Sequence, residues 1–236
     1  MFDQVSIIGC GLIGSSVLRR LKKNESVKKL ITYDNNESVN EIIKKENISD
    51  EIALNPSEAV KNSDLVLIST PLSSFESVIN SIKDSLKPGS ILTDTCSVKQ
   101  GVSRFIKKIN LKNSIWIPGH PVAGTEKSGP RAGFADLFQD RWTILTPDES
   151  IKKSDIQKVS TFWESMGSKV KIMSVKDHDK ILSLTSHLPH VIAYNIVKTS
   201  MGDDEKTKND IIRYSAGGLR DFTRIAASNP IMWKDI

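Results

Sequence analysis

The sequence predicts an α/β fold in which a doubly wound, mostly parallel sheet is followed by an all-helical domain. Short apolar runs alternate with helix-like segments through the first two thirds of the chain, and this alternation is typical of parallel strands joined by helices. From residue 175 onward the apolar pattern is helical only. The expected domains are therefore residues 1–174 and 175–236.

The predicted elements follow the hydrophobic pattern in chain order. Strands are expected at 4–8, 30–33, 65–69, 90–94, 114–117 and 142–146, and helices at 14–23, 37–46, 56–62, 73–85 and 98–108. A helix over 156–166 and an edge strand at 169–173 complete the first domain. In the second domain, residues 175–201 predict one long helix that Pro189 should kink. A polar turn and another helix follow, and Gly217-Gly218 is expected to break the chain before the last helix.

A glycine motif stands directly after the first predicted strand. The pattern G-x-G-x-x-G places Gly9 in a tight turn, Gly11 where backbone can approach a pyrophosphate, and Gly14 where a helix packs on the strand. Leu12 and Ile13 of the same motif are expected to line the cofactor site, and the diphosphate is expected at the positive end of the helix that follows. This context makes the first domain Rossmann-like and favours a dinucleotide site over a purely structural glycine turn.

Asp34 lies 20 residues beyond Gly14, at the end of the second predicted strand. A carboxylate at this position binds the ribose 2′-hydroxyl and repels a 2′-phosphate. Because the neighbouring Asn35 and Asn36 offer no arginine, NAD is favoured over NADP. Ser69, Thr70 and Pro71, at the end of the third predicted strand, are expected to line the same cofactor site.

Composition excludes several classes of function. The net charge of +5 comes with lysines that are scattered along the chain as pairs. The sequence has no basic stripe interleaved with aromatic residues, so nucleic-acid binding is not predicted. No apolar run approaches the ~18 residues of a membrane span, and the N-terminus enters a strand without a signal peptide. Two cysteines make no disulfide framework. A cytoplasmic protein that attracts acidic metabolites is expected.

His120 is the leading candidate for a catalytic residue. It follows a predicted strand in a loop rich in proline and glycine, at the sheet edge where open α/β folds bind ligands. Ser97 ends the preceding strand and should bring its hydroxyl to the same edge. A structural histidine and a helix N-cap serine are the alternative interpretations of these two residues.

Two further clusters lie in the second domain. His187 and His190 share one helix face beside Pro189, and a metal site there is disfavoured because no third ligand has suitable spacing. Arg220 and Arg224 are one helical turn apart in a chain with eight arginines. Their spacing favours a bidentate clamp for carboxylates over plain surface charge.

Five ordered motifs make the chain resemble the prephenate/arogenate dehydrogenase family, the oxidoreductases of tyrosine biosynthesis. They are Gly-Leu-Ile-Gly-Ser, Asp-x-x-Ser-Val-Lys, Gly-His-Pro-x-Ala-Gly-Thr-Glu-Lys-Ser-Gly, Ser-His-Leu-Pro-His and Phe-Thr-Arg-Ile-Ala, and they run over essentially the whole chain. The resemblance implies NAD(P)-dependent oxidative decarboxylation of a cyclohexadienyl substrate. It also implies that the helical domain makes a homodimer.

The same resemblance assigns roles to individual residues. His120 would accept the proton of the ring 4-hydroxyl, and Ser97 would hydrogen-bond that hydroxyl and the nicotinamide side. His190 and Arg224 would hold carboxylate or side-chain groups of the substrate. The remaining pocket residues would be Thr125, Glu126, His187 and Arg220.

The family continues for several dozen residues beyond the Met-Trp that matches Met232-Trp233, so the second domain is expected to be shortened here. Two alternatives remain open. One is a dehydrogenase of another small carboxylated substrate, such as a 3-hydroxy acid. The other is a catalytically silent NAD-binding module.

Overall fold

The first sheet has six parallel strands among the residues that the computed structural model describes, which are 2–109, 111, 114–201, 205–228 and 233. The strand order is β3-β2-β1-β4-β5-β6. The bounds are β1 (Gln4–Ile8), β2 (Lys29–Tyr33), β3 (Glu51–Ile52), β4 (Leu65–Ile68), β5 (Ile91–Asp94) and β6 (Ile115–Trp116). The predicted parallel sheet is confirmed, and the short β3 is an edge strand that the hydrophobic pattern did not predict.

Helices cover both faces of this sheet. They are α1 (Leu12–Asn24), α2 (Glu37–Glu46), α3 (Pro56–Val60), α4 (Leu72–Ile82) and α5 (Gln100–Ile109). Successive residues of a strand point to opposite faces, so Ile7 and Ile8 enter different apolar cores. Because both faces are buried, most strand positions are apolar, and the strand residues Ser6, Thr32 and Thr93 are buried polar exceptions.

The predicted strand 142–146 does not join the parallel sheet. It forms β8 (Trp142–Leu145), which pairs antiparallel with β7 (Gly119–Pro121) and parallel with the edge strand β9 (Lys169–Ile172). The chain leaves the first sheet after β6, where Pro118 has no N–H to continue the ladder. His120 consequently lies within β7, opposite Ile144, and the expectation that it stands in a loop is wrong.

The predicted 156–166 helix is α6 (Lys153–Ser165), and it packs on the first core through Val159, Phe162 and Trp163. Its Trp163 is completely buried. This helix connects β8 to β9, which run parallel and therefore need a crossover.

The C-terminal part of the chain is helical. A long helix begins as α7 (Val175–Leu182), widens into a π-helical segment (Ser183–His187) and continues as α8 (Leu188–Ser200). Pro189 directly follows this widened turn. The wider turn separates the proline ring from the carbonyl groups that it would otherwise meet, so the expected proline disturbance takes the form of a π segment. No helix in the described ranges is long and apolar enough to cross a membrane.

Two further helices, α9 (Glu205–Tyr214) and α10 (Gly217–Ala226), complete the described C-terminal part. Gly217 and Gly218 form the first turn of α10, so the expectation that they break the chain before it is wrong. The extended residue Ala216 precedes them and makes the corner. Helix α10 packs on α8, and the Tyr194 hydroxyl donates a 2.8 Å hydrogen bond to the carbonyl of Ser228.

Candidate active site

The glycine turn between β1 and α1 is dictated by close backbone contacts. Gly9 has a φ of +93°, and a Cβ there would lie 2.6 Å from the Ser69 carbonyl oxygen. A Cβ on Gly14 would lie 2.0 Å from the carbonyl oxygen of Gly9. A Cβ on Gly11 would meet nothing within 4 Å, and no side chain caps the N-terminus of α1. An anion can therefore approach the exposed N–H groups at the start of this helix.

Asp34 is held beside this turn by two backbone groups. One carboxylate oxygen accepts the Cys10 N–H at 2.8 Å, and the other accepts the Asn36 N–H at 2.9 Å. Ser69 and Thr70, which follow β4, lie against Gly9 on the other side, and the exposed Pro71 precedes α4. The carboxyl ends of β1, β2 and β4 thus bring together a free helix N-terminus and a fixed carboxylate, which fits a dinucleotide with an unmodified ribose.

His120 is buried at the adjacent edge and hydrogen-bonded to a second histidine that the sequence analysis missed. Its Nδ1 lies 2.8 Å from Nε2 of His178, whose Nδ1 lies 2.8 Å from an oxygen of Asp179. Burial, followed by the positive charge of Lys99 and the proximity of His178 and His187, holds the pKa of His120 well below its ordinary value. A neutral imidazole at neutral pH can act as a proton acceptor.

A buried ion pair positions the strand that carries His120. The Lys99 ammonium and the Asp94 carboxylate are completely buried and 2.5 Å apart. Lys99 also donates to the carbonyl of Gly119, and Asp94 accepts the Gly119 N–H at 3.1 Å. Both peptide groups of the residue before His120 are therefore held by this pair. Asp94 and Lys99 are the first and last residues of the Asp-x-x-Ser-Val-Lys motif, in which only Ser97 was predicted to be a site residue.

Ser97 lies at the same edge, between Asp94 and Lys99, and its hydroxyl is not the cap of α5. The predicted helix start at 98 moves to Gln100, and the Asp179 carboxylate accepts the N–H groups of Lys99 and Gln100 at 2.8 and 2.9 Å. Among the described residues no hydrogen-bond partner of the Ser97 hydroxyl is found. The hydroxyl is thus available to a ligand, and α7 supplies the cap from the helical part.

Thr125 and Glu126 lie in the exposed loop that follows β7. The end of this loop returns to the glycine-turn helix, where Ser15 donates to the Pro130 carbonyl at 3.2 Å and Ser16 accepts the Phe134 N–H at 3.1 Å. The loop is therefore anchored to the helix that faces the nucleotide site. Neither Thr125 nor Glu126 makes a hydrogen bond to His120.

His187 and His190 are brought together around Trp233. The ring of His190 stacks on Trp233 with centroids 3.8 Å apart, and the ring of His187 meets it edge-on at 6.0 Å. The Nδ1 of His190 lies 2.9 Å from the Ser186 carbonyl, while Nε2 of His187 is buried and has no hydrogen-bond partner among the described residues. No group of three metal-ligating side chains occurs among the described residues.

Arg220 and Arg224 are exposed on α10, and neither forms an ion pair with a residue that the structure describes. Arg220 lines a cavity of about 240 Å³ between α8, α9 and α10, together with Val197, Lys208 and Thr223. The structure does not bring the two arginines into contact with His120. Their unpaired guanidinium groups remain available to an anionic ligand.

Residues 17–172 and 174–236 match two sequence models of one family. "Prephenate dehydrogenase, nucleotide-binding domain" matches residues 17–172, and "Prephenate dehydrogenase, dimerization domain" matches residues 174–236. The chain is 42% identical over 236 residues to a cyclohexadienyl dehydrogenase of Zymomonas mobilis, covering 100% of this chain and 80% of that protein. It is 31% identical over 237 residues to a prephenate dehydrogenase of Bacillus subtilis, covering 100% of this chain and 64% of that protein.

A solved structure is similar over the same length. It is the prephenate dehydrogenase from A. aeolicus in complex with hydroxyphenyl propionate and NAD+, with a TM-score of 0.89 and 32% sequence identity. The match covers 100% of this chain and 82% of that one.

Proposed function

The chain belongs to the prephenate dehydrogenase family of NAD-dependent oxidoreductases, and we propose that it oxidatively decarboxylates prephenate, arogenate or both in tyrosine biosynthesis. The observation that carries the proposal is the buried, neutral His120 at a sheet edge beside a dinucleotide-binding turn. A base and a hydride acceptor at one edge are what the oxidation of a secondary alcohol requires.

The reaction follows from this pairing. NAD, when bound, supplies the acceptor for the hydride that leaves C4 of the ring. His120 takes the proton of the 4-hydroxyl at Nε2, because its Nδ1 is engaged with His178. The bond between C1 and its carboxylate then breaks, CO₂ leaves, and the electron pair enters the ring, which becomes aromatic. The proton on His120 can return to the phenolate oxygen.

For the cofactor, the residues proposed are those of the glycine turn and its surroundings. The N–H groups from Gly11 to Gly14 would hold the diphosphate, and Asp34 would hold the ribose hydroxyls. This assignment favours NAD over NADP, because the Asp34 carboxylate is already fixed by two backbone N–H groups and repels a 2′-phosphate. Ser97 would bridge the nicotinamide side and the substrate hydroxyl.

The substrate residues proposed lie on the loop after β7 and on the C-terminal helices. His190 and Arg224 would bind carboxylate or side-chain groups, and Thr125, Glu126, His187 and Arg220 would line the pocket. Support comes from Nε2 of His187 and from the guanidinium groups of Arg220 and Arg224, none of which has a polar partner among the described residues, so these groups are available to an anionic substrate.

We also propose a homodimer formed through the helical domain, residues 175–236. Large apolar side chains along the long helix are exposed, namely Ile181, Leu184, Leu188, Val191 and Ile192. A contiguous apolar face of this kind favours a two-fold interface. Light scattering at micromolar concentration tests it, and a clean monomer that turns over substrate would refute it.

The two free, buried cysteines support a cytoplasmic location as a further proposal.

The decisive experiment follows NADH absorbance with NAD and each candidate substrate. Turnover of prephenate or arogenate is expected, and the ratio of the two kcat/KM values identifies the preferred side chain. His120→Asn should lower kcat by about 10²–10⁴-fold while NAD affinity stays near that of the wild type. Turnover of a 3-hydroxy acid alone would indicate the other dehydrogenase, and tight NAD binding without turnover would indicate a silent module.

A further inference from the structure

The catalytic edge contains a chain of three side chains that crosses from the sheet to the helical part. His120 in β7 contacts His178 in α7, and His178 contacts its neighbour Asp179. His178 is completely buried, so its two ring nitrogens have only these partners in the described structure. Asp179 is anchored in turn by the N–H groups at the start of α5.

The proton positions along this chain are determined by its last member. Burial raises the pKa of Asp179, but the hydrogen bonds from His178 and from the backbone of Gln100 and Lys99 outweigh it and leave the pKa below the ordinary value. An ionised carboxylate only accepts hydrogen bonds, so Nδ1 of His178 carries its proton.

The tautomer of the catalytic base then follows. Burial is the largest cause that holds the pKa of His178 below its ordinary value, so the ring is neutral and its Nε2 has a free lone pair. That lone pair can only accept, which places a proton on Nδ1 of His120. The remaining nitrogen of His120, Nε2, is unprotonated.

We propose that His178 and Asp179 are positioning residues that hold His120 in the Nδ1-protonated tautomer and leave Nε2 for the substrate hydroxyl. The proposal rests on His120 being the base, as assigned under the proposed function. The same chain would stabilise the imidazolium once the proton is taken, because each hydrogen bond continues toward the Asp179 carboxylate.

A purely structural role for Asp179 makes a different prediction. If the carboxylate serves only as the cap of α5, its loss should lower stability by ~0.5–2 kcal/mol, as for other helix caps, and should leave the chemistry unchanged. Ser174 provides the matched control. Its hydroxyl caps α7 by accepting the Asp177 N–H at 3.0 Å, and Ser174 lies four residues before His178.

The first test compares three variants in the full chain. His178→Leu removes the acceptor and should lower kcat by roughly 10²–10⁴-fold, with the Kd for NAD unchanged. His178→Gln retains a side-chain carbonyl that can accept the Nδ1 proton, and it should recover about tenfold or more of that loss. Ser174→Ala should lose helix-cap stability and keep the wild-type kcat.

The second test reads the tautomer directly by ¹⁵N NMR of histidine-labelled protein. Wild-type His120 should show a protonated Nδ1 and an unprotonated Nε2, and Asp179→Asn should change that distribution. A wild-type His120 protonated at Nε2 would overturn the proposal, as would a folded His178→Leu variant with kcat within about threefold of wild type.

The two tests also separate this proposal from the proposed function. The wild-type spectrum needs no turnover, so it decides the tautomer even if neither prephenate nor arogenate is a substrate. If His178→Leu does not fold, the His178→Gln kinetics and the wild-type spectrum still decide between positioning and structural roles.

Discussion

Replacing Lys99 with methionine should both destabilise the fold and change its pH–rate profile. The Lys99 ammonium is completely buried and neutralises the equally buried Asp94 carboxylate at 2.5 Å. Methionine has a similar length but no charge, so Asp94 would keep only the N–H groups of Cys96 and Gly119, at 2.9 and 3.1 Å. An ionised carboxylate without a counter-charge would then remain in the core.

The size of the effect follows from the cost of breaking a buried pair. Removing one partner costs ~3–5 kcal/mol, a large part of the ~5–15 kcal/mol that stabilises a typical domain. For a chain of this length that corresponds to a fall in Tm of roughly 6–20 °C. The double variant Asp94→Asn/Lys99→Met removes both charges. Its loss of free energy of unfolding should therefore be smaller than the sum of the losses in the two single variants.

Urea unfolding followed by circular dichroism measures these differences. Lys28→Met is the matched control, because the side chains of Lys28 and its partner Asp3 are 78% and 69% exposed, and an ion pair at the surface contributes ~0–1 kcal/mol. Because the charge of Lys99 lowers the pKa of His120, the acid limb of kcat/KM should also move to higher pH in Lys99→Met. A loss of under ~1 kcal/mol, or strict additivity in the double variant, would refute this reasoning.

Three further outcomes are expected. Asp34→Ala should reduce the preference for NAD over NADP in kcat/KM, and a wild type that already prefers NADP would contradict the role of Asp34. Arg224→Ala should raise the substrate KM about ten- to hundredfold, since a charge-assisted hydrogen bond contributes ~1.5–3 kcal/mol. An unchanged KM would indicate that Arg224 is only a surface charge. Burial lowers the pKa values of His120, His178 and His187, so the native state binds fewer protons than the unfolded chain. The free energy of unfolding should be constant between about pH 6.5 and about pH 8 and should fall below about pH 6.5, and a urea midpoint that is flat down to about pH 5 would contradict these shifts.

The parts of this protein that were predictable from sequence are those governed by local pattern. The glycine turn at Gly9 and Gly14 is required by backbone contacts within a few residues and one neighbouring strand, and a motif of fixed spacing records it. The parallel strands β1, β2, β4 and β5 are buried on both faces and contain recognisable hydrophobic runs, whereas the two-residue β3 is too short to show one. The π segment before Pro189 was not predictable, since a proline signals a disturbance without specifying its form.

The missed residues have a different cause. His178 follows Lys-Asp and precedes Asp in a polar stretch at the start of a helix, where nothing in the sequence separates it from a surface histidine. Its burial results from packing against β7, a strand that is distant in sequence and that the hydrophobic pattern did not predict. Lys99 and Asp94 are likewise ordinary surface residue types, and only the fold removes both from water.

The catalytic edge is built from contacts that join the two parts of the chain. The glycine turn and Asp34 belong entirely to the first sheet and its connections, so the proposed nucleotide site depends on local geometry there. His120 lies on a second sheet that the Asp94–Lys99 pair ties to the end of β5, and its other partner, His178, comes from the helical part. Asp179 links α7 back to the start of α5 with the same carboxylate that orients His178. When α7 packs against the first domain, its Asp179 therefore caps α5, and its His178 determines the hydrogen bonding of the proposed base. In the proposed mechanism, binding of the nucleotide would require one part of the protein, whereas the oriented base would require both.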